Sequence, residues 1–278
     1  MTAAIRPPVP YFGGKSRIAQ WIASLLPDHD HYVEPFAGGL SVLLAKTPSK
    51  METVNDLDGE LVTFWRVLRD RPAELVRACA LTPHSRAEQD AAYEPAAGDE
   101  LETARRVWVR LTQGRGGTLR RTGWRHYVDP NASGTSLAGQ LDGYVDRLAA
   151  AAERLHAVAL EALPALDLIA KYGACPRVLL YVDPPYLGST RSFANYRHEM
   201  RGDDQHRELA AALAGCKATV VLSGYDSPLY AELYDGWDRH TTQSTADNAT
   251  SDRGRTEVLW SNRRLGSQLD LLSLDATA

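Results

Sequence analysis

A chain of 278 residues exceeds the roughly 100–200 residues usual for one domain, so one large domain or one core carrying an insertion is expected. With 44% hydrophobic and 24% charged residues, the composition excludes a wholly disordered chain and a coiled coil, and no window approaches the ~20 consecutive apolar residues of a membrane span. The formal net charge of −4 gives no global attraction to a polyanion, so a nucleic-acid partner would need a local concentration of Arg and Lys. Met1 to Pro10 lacks the apolar stretch of a secretory signal, and the three cysteines, Cys79, Cys175 and Cys216, form no CxxC; a reducing, cytoplasmic setting is expected.

In chain order, two short apolar runs, His31 to Glu34 and Met51 to Asn55, flank Val42, Leu43 and Leu44 behind a Gly pair. This reads as strand, tight turn, helix, strand, the opening of an α/β fold. From Leu57 to about Ala152 the texture changes to Ala, Arg, Glu and Leu, with helical patterns such as Leu61, Phe64, Trp65 and Leu68 and no clear β run. Apolar runs resume at His156–Leu160, Val178–Val182, Ala218–Leu222 and Thr256–Trp260, with a helix-like Glu208–Ala214 before the third. The expected organisation is a core of residues 1–56 and 153–278 around a helical insertion at 57–152.

Four local features carry chemistry. Tyr181-Val182-Asp183-Pro184-Pro185-Tyr186 ends the apolar run at 178–182 on two prolines, which remove backbone donors and fix φ. Asp183 and Tyr186 are thus held on a stiff turn at a strand's carboxyl end, where open α/β sheets bind ligands. Pro-Pro also terminates strands for purely structural reasons, and turn chemistry alone does not separate the two readings. Glu34-Pro35-Phe36-Ala37-Gly38-Gly39 is a strand followed by a Gly turn into a helix, without the GxGxxG dinucleotide spacing. Tyr11-Phe12-Gly13-Gly14-Lys15-Ser16 fails as a phosphate-binding loop because the first glycine would fall at Val9; an aromatic beside a Gly-Gly turn and a lysine remains. Asn55-Asp56-Leu57-Asp58 closes the second strand, where an acid can grip ribose hydroxyls; a helix N-cap by Asp56 or Asp58 is an equally good local reading.

Together, in this order, the four resemble the Dam-like family of DNA adenine-N6 methyltransferases. The family pattern of aromatic-x-Gly-Gly-Lys is matched at Tyr11 to Lys15, Glu-Pro-Phe-x-Gly-Gly at Glu34 to Gly39, Asn-Asp at Asn55-Asp56, and Asp-Pro-Pro-Tyr at Asp183 to Tyr186. Val221 to Tyr225 and Thr256 to Asn262 look like the late segments of phage-type members. The resemblance implies a Rossmann-like methyltransferase core, S-adenosylmethionine as methyl donor, double-stranded DNA as partner and restriction-modification or phage contexts. It further implies that Tyr11, Gly14 and Lys15 line the donor pocket, and that Glu34, Pro35, Phe36 and Gly38 form the turn beside its methionine portion. Asp56 would bind the ribose and Glu161, in the stretch Leu160 to Pro164, would stand in for the residue on the donor's adenine. Asp183 and the Pro184 carbonyl would accept the hydrogens of the target amino group, and Tyr186 would stack on a flipped base. No metal-ligand spacing is visible among the eight histidines, so no metal is expected, and a monomer is the default.

The expected insertion supplies the basic patch that the net charge requires. Arg105, Arg106, Arg110, Arg115, Arg120, Arg121 and Arg125 alternate with Trp108, Trp124, His126 and Tyr127. For Arg105 and Arg106 a solvated helix face is the simpler reading. Gln113 to Gly123 reads as a flexible Gly-flanked loop in which Gln113, Arg115, Arg120 and Arg121 reach DNA, with Arg125 just beyond it as a further candidate contact. Ser189 to His198, with Arg191, Asn195 and Tyr196, is a second candidate contact. Rival readings are a cytosine-N4 or RNA amino-methyltransferase and a catalytically silent DNA-binding protein of the same fold.

Overall fold

The computed structural model describes residues 5–129, 131, 133–188, 196–244 and 255–266. Arg191 and Asn195 therefore lie outside the described residues. The elements in order are α1 (Ala19–Leu25), β1 (His31–Glu34), α2 (Ser41–Ala45), β2 (Met51–Asn55), α3 (Gly59–Asp70), α4 (Pro72–Ala80), α5 (Arg86–Ala91), α6 (Glu100–Gln113) and α7 (Leu137–Leu155). They continue with β3 (Val158–Glu161), α8 (Ala165–Gly173), β4 (Val178–Val182), α9 (Asp203–Ala214), β5 (Thr219–Tyr225), α10 (Pro228–Leu233), β6 (Asp238–Ser244) and β7 (Arg255–Ser261).

The strands form one mixed seven-stranded sheet in the order β3-β2-β1-β4-β5-β7-β6, parallel except for β7, which runs antiparallel to both neighbours. All five residues of β4 are buried, as a central parallel strand covered on both faces requires. Alternation sorts the side chains: Tyr32, Leu179 and Tyr181 join the buried cluster on one face, and Val33, Val178, Leu180 and Val182 the cluster on the other. Chain direction through the sheet reverses between β1 and β4. The carboxyl ends of these two strands thus open the crevice that a topological switch point creates.

Five helices, α3 to α7, fill the stretch between β2 and β3. Asp58 caps α3 by accepting from the Glu60 and Leu61 amides, which assigns the cap to Asp58 and leaves Asp56 for other work. The helical stretch does not carry a core of its own. Leu61, Phe64, Trp65 and Leu68 of α3, Trp108 of α6 and Leu148 of α7 lie in the same buried cluster as Tyr32, Val54 and Val158 of the sheet. An amphipathic α3 packed on the strands it follows is the reason: its apolar face has nowhere else to be buried.

A buried charge cluster ties α7 to the sheet. Glu52 of β2 accepts from Lys46 at 2.6 Å and from Arg154 of α7 at 2.5 Å, and Arg154 also donates to the Leu43 carbonyl at 3.1 Å. Burial opposes the Glu52 carboxylate, but Arg154 and Lys46 outweigh it and hold its pKa below the ordinary value. The stabilisation is therefore full at neutral pH and is lost as pH falls through the lowered native value. Glu52→Gln, which strands two buried cations, is expected to lower stability by about 3–5 kcal/mol at pH 7, read from the urea unfolding midpoint.

Candidate functional site

A cavity of about 360 Å³ opens at the switch point, within the size range of small-molecule sites. Its floor is the turn after β1. Gly38 has φ +47°, and a Cβ there would lie 2.9 Å from Tyr11 Cε1, while one on Gly39 would lie 2.8 Å from Tyr11 Cβ. Only glycine lets the Tyr11 ring lie against this backbone. The Gly38 amide donates to Asp56 Oδ2 at 3.0 Å and the Asp58 amide to Asp56 Oδ1 at 2.9 Å. Asp56 is thereby fixed at the end of β2 facing the cavity, each oxygen keeping acceptor capacity; burial raises its pKa, and the two amides offset part of that rise.

Glu34, at the end of β1, is buried and accepts from the Tyr32 hydroxyl at 2.6 Å and the Leu43 amide at 3.0 Å. Burial pushes its pKa up to about 8, against those two hydrogen bonds. Pro35 and Phe36 line the cavity beside it. Asn55 clips the strand ends together: its amide donates to the carbonyls of Pro35 and Leu163 and accepts from the Leu163 amide at 2.8 Å. That clip sets Leu163 and Pro164 as the cavity's far wall.

Asp183 lies at the wall beneath β4. Its Oδ1 accepts from Ser223 of β5 at 2.9 Å, and Ser223 in turn is 3.1 Å from the Tyr181 hydroxyl. Its Oδ2 is 2.9 Å from Lys15 Nζ, which also donates to the Gly13 carbonyl at 2.7 Å. Burial disfavours the Lys15 ammonium, yet the Asp183 and Glu257 carboxylates reverse that effect and hold its pKa above the ordinary value. A carboxylate with both oxygens fixed and lone pairs remaining can take hydrogens from an amino group presented through the cavity.

Several expected residues are placed otherwise. Tyr186 does not line the cavity: its hydroxyl donates to Glu257, the Lys15 ammonium lies 4.8 Å from its ring centroid, and Tyr225 meets it edge-on at 4.6 Å. Pro184 is buried and it is Pro185 that reaches the cavity. Glu161 turns away from the cavity, because at its register on β3 the carboxylate meets Lys171 of α8 at 2.9 Å. Tyr196, expected at DNA, lines the cavity mouth instead, its ring 5.5 Å from Phe12 and its hydroxyl donating to the Phe12 carbonyl at 3.2 Å. Beside it Arg197 pairs with Asp58 at 3.3 Å and with Glu60.

In the basic stretch, Gln113 is fully buried; its amide oxygen accepts from Ser85 and its nitrogen donates to the Pro83 carbonyl, so it cannot read a base. The Gly-rich loop is held, not loose. Gly114 and Trp124 form a β-bridge, the Arg115 amide donates to Gly123 at 3.1 Å, and the Phe12 amide donates to the Gly117 carbonyl at 2.7 Å. Arg115, Arg120 and Arg121 are exposed on it, Arg121 over the Tyr93 ring at 5.0 Å. The Arg125 Nε and Nη2 atoms are shielded and find no hydrogen-bond partner among the described residues. Arg105 and Arg106 pair with Glu102, each at 2.6 Å, as a helix face would. Sequence reasoning missed Ser223 and Glu257 and read Arg197 only within the candidate DNA-contact segment 189–198; an acid amid the apolar run of β7 was the available signal for Glu257.

The seven-stranded order with a cavity at its switch point is that of a Rossmann-like α/β fold. Residues 11–96 and 146–247 match the model of the D12 class N6 adenine-specific DNA methyltransferases, and the chain belongs to that family. The Type II methyltransferase M1.LlaDCHI of Lactococcus lactis subsp. cremoris is 27% identical over 284 residues, covering 93% of this chain and 95% of its own. Likeness to solved structures is distant. A precorrin 8w decarboxylase of Methanobacterium thermoautotrophicum is 12% identical with TM-score 0.37, covering 95% of this chain and 96% of its own. The rRNA methyltransferase aviRa of Streptomyces viridochromogenes is 16% identical with TM-score 0.37, covering 92% and 87%. The chain is thus an enzyme that carries a methyl group from a donor to N6 of adenine in DNA. Among the described residues no helix is long and apolar enough to cross a membrane.

The glycine cradle gives a direct check. Gly38→Val places a β-branched side chain at a left-handed φ and into the Tyr11 ring, a strain of about 1–3 kcal/mol. Equilibrium dialysis should show methyl-donor affinity falling roughly five- to hundredfold, while far-ultraviolet circular dichroism stays unchanged.

Proposed function

We propose that the donor is S-adenosylmethionine and that the acceptor adenine is presented flipped from double-stranded DNA. The cavity residues fit this donor. The Gly38-Gly39 turn lets the Tyr11 ring pack onto the backbone and form part of the cavity lining, Asp56 keeps lone pairs for two ribose hydroxyls, and Glu34 adds a carboxyl beside a cationic ligand. When bound, the donor supplies an electrophilic methyl on a positively charged sulfur.

The observation that carries the reading is the Asp183 carboxylate, held at the cavity wall by Ser223 and Lys15 at 2.9 Å each. Adenine N6 is a poor nucleophile because its lone pair is delocalised into the ring. Asp183 accepts an N6 hydrogen, localises that pair and stabilises the charge that develops as N6 bonds to the methyl carbon. The methyl–sulfur bond breaks with its electron pair leaving on sulfur, and the proton lost from N6 goes to Asp183. Alignment of the two reactants supplies up to roughly 7–11 kcal/mol of the barrier, so no covalent enzyme intermediate is needed. Flipping is required because N6 is out of reach inside the duplex. Asp183→Ala is expected to abolish methyl transfer with donor binding still measurable; substantial turnover by this variant would refute the assignment.

The DNA is held, on this reading, by residues 97–145, the stretch that the family match leaves uncovered, together with its exposed Arg115, Arg120 and Arg121. These are phosphate contacts, so they contribute affinity and not sequence choice. Neutralising Arg120 and Arg121 together should flatten the plot of log affinity against log salt by up to about 1.8. An unchanged slope in a filter-binding titration would contradict contact there.

A further inference from the structure

Glu257 is a buried acid on β7 at 2% exposure, and the reading above gives it no role. Its Oε1 accepts from the Tyr186 hydroxyl and lies 3.7 Å from Lys15 Nζ. Lys15 therefore stands between two carboxylates, Asp183 at 2.9 Å and Glu257 at 3.7 Å, with the Tyr186 ring alongside. Among the described residues, the charged and titratable groups acting on Glu257 include Lys15 from the turn before α1, Asp183 and Tyr186 from the loop after β4, and Tyr181 from β4. Its cross-strand neighbours, Tyr225 of β5 and Thr242 of β6, add no charge.

A carboxylate paired one-to-one with a buried ammonium is a weakened acceptor, because the cation opposes each new positive charge brought to it. Two carboxylates on one ammonium leave a net negative centre, which attracts the charge that builds on N6. We propose that Glu257 is a positioning residue of methyl transfer, sharing Lys15 and fixing Tyr186 so that Lys15 alone does not neutralise the Asp183 carboxylate. Burial raises the Glu257 pKa, with Asp183 adding to the rise and Lys15 and Tyr186 opposing it. The inference rests on Asp183 as acceptor.

Glu257→Gln keeps the volume and an acceptor oxygen but removes the charge, and Glu257→Asp keeps the charge. With labelled S-adenosylmethionine and duplex DNA, the single-turnover rate of Glu257→Gln should fall at least tenfold while its donor dissociation constant stays within twofold. The acid limb of its pH–rate profile should move to lower pH, since the raised Glu257 ionisation no longer contributes to it. Glu257→Asp should recover most of the rate and the original limb. A wild-type rate and limb in Glu257→Gln, equal losses in both variants with the limb unmoved, or failure of Glu257→Gln to fold would each overturn the inference. Turnover by Asp183→Ala would instead remove the acceptor reading beneath it, so the two failures are distinguishable.

Discussion

The buried Lys15 ammonium fastens three parts of the chain at one point. It holds the carbonyl of Gly13, in the turn leading to α1, and the carboxylates of Asp183 after β4 and Glu257 on β7. A buried cation is costly unless paired and hydrogen-bonded, so this residue imposes its geometry on its partners. With Lys15 fixed, Gly13 and Gly14 must turn tightly. Tyr11 is then laid across the Gly38-Gly39 turn, and the cavity acquires its wall. The same ion pair orients the proposed acceptor carboxylate, so donor pocket and acceptor are built by one interaction.

The pocket is also joined to the helical stretch between β2 and β3. The Phe12 amide reaches the Gly117 carbonyl, and Glu60 of α3 is shared by Arg110 of α6 and Arg197 beside the cavity mouth. Helices that share a buried cluster with the sheet cannot move as a loose appendage. The mild net charge of −4 is compatible with this arrangement because several arginines of the stretch are matched locally by Glu60, Glu88, Glu94 and Glu102, while Arg115, Arg120 and Arg121 are exposed at the surface.

Much of this was legible in the sequence where local chemistry and tertiary demand agree. β1, β2, β4, β5 and β7 each carry apolar residues that are buried in the sheet, and the acids or glycines at the ends of the first three announce the crevice. β6 was not legible: Asp238-Arg239-His240-Thr241-Thr242-Gln243-Ser244 is a polar strand at the sheet edge, recognisable only by its pairing with β7. Glu161 and Gln113 were misjudged because residue type does not fix direction. Strand register turns one toward Lys171, and helix packing buries the other against Pro83 and Ser85. For Glu257 the acid in an apolar run was visible but its role was not, because its partners, Lys15 and Tyr186, are distant in sequence and meet it only across the folded sheet.

The most direct measurement is nucleoside analysis of duplex DNA incubated with the enzyme and S-adenosylmethionine labelled in its methyl group. The account predicts label recovered as N6-methyladenine. Label recovered as N4-methylcytosine, or no label in DNA that the protein nonetheless binds, would contradict it.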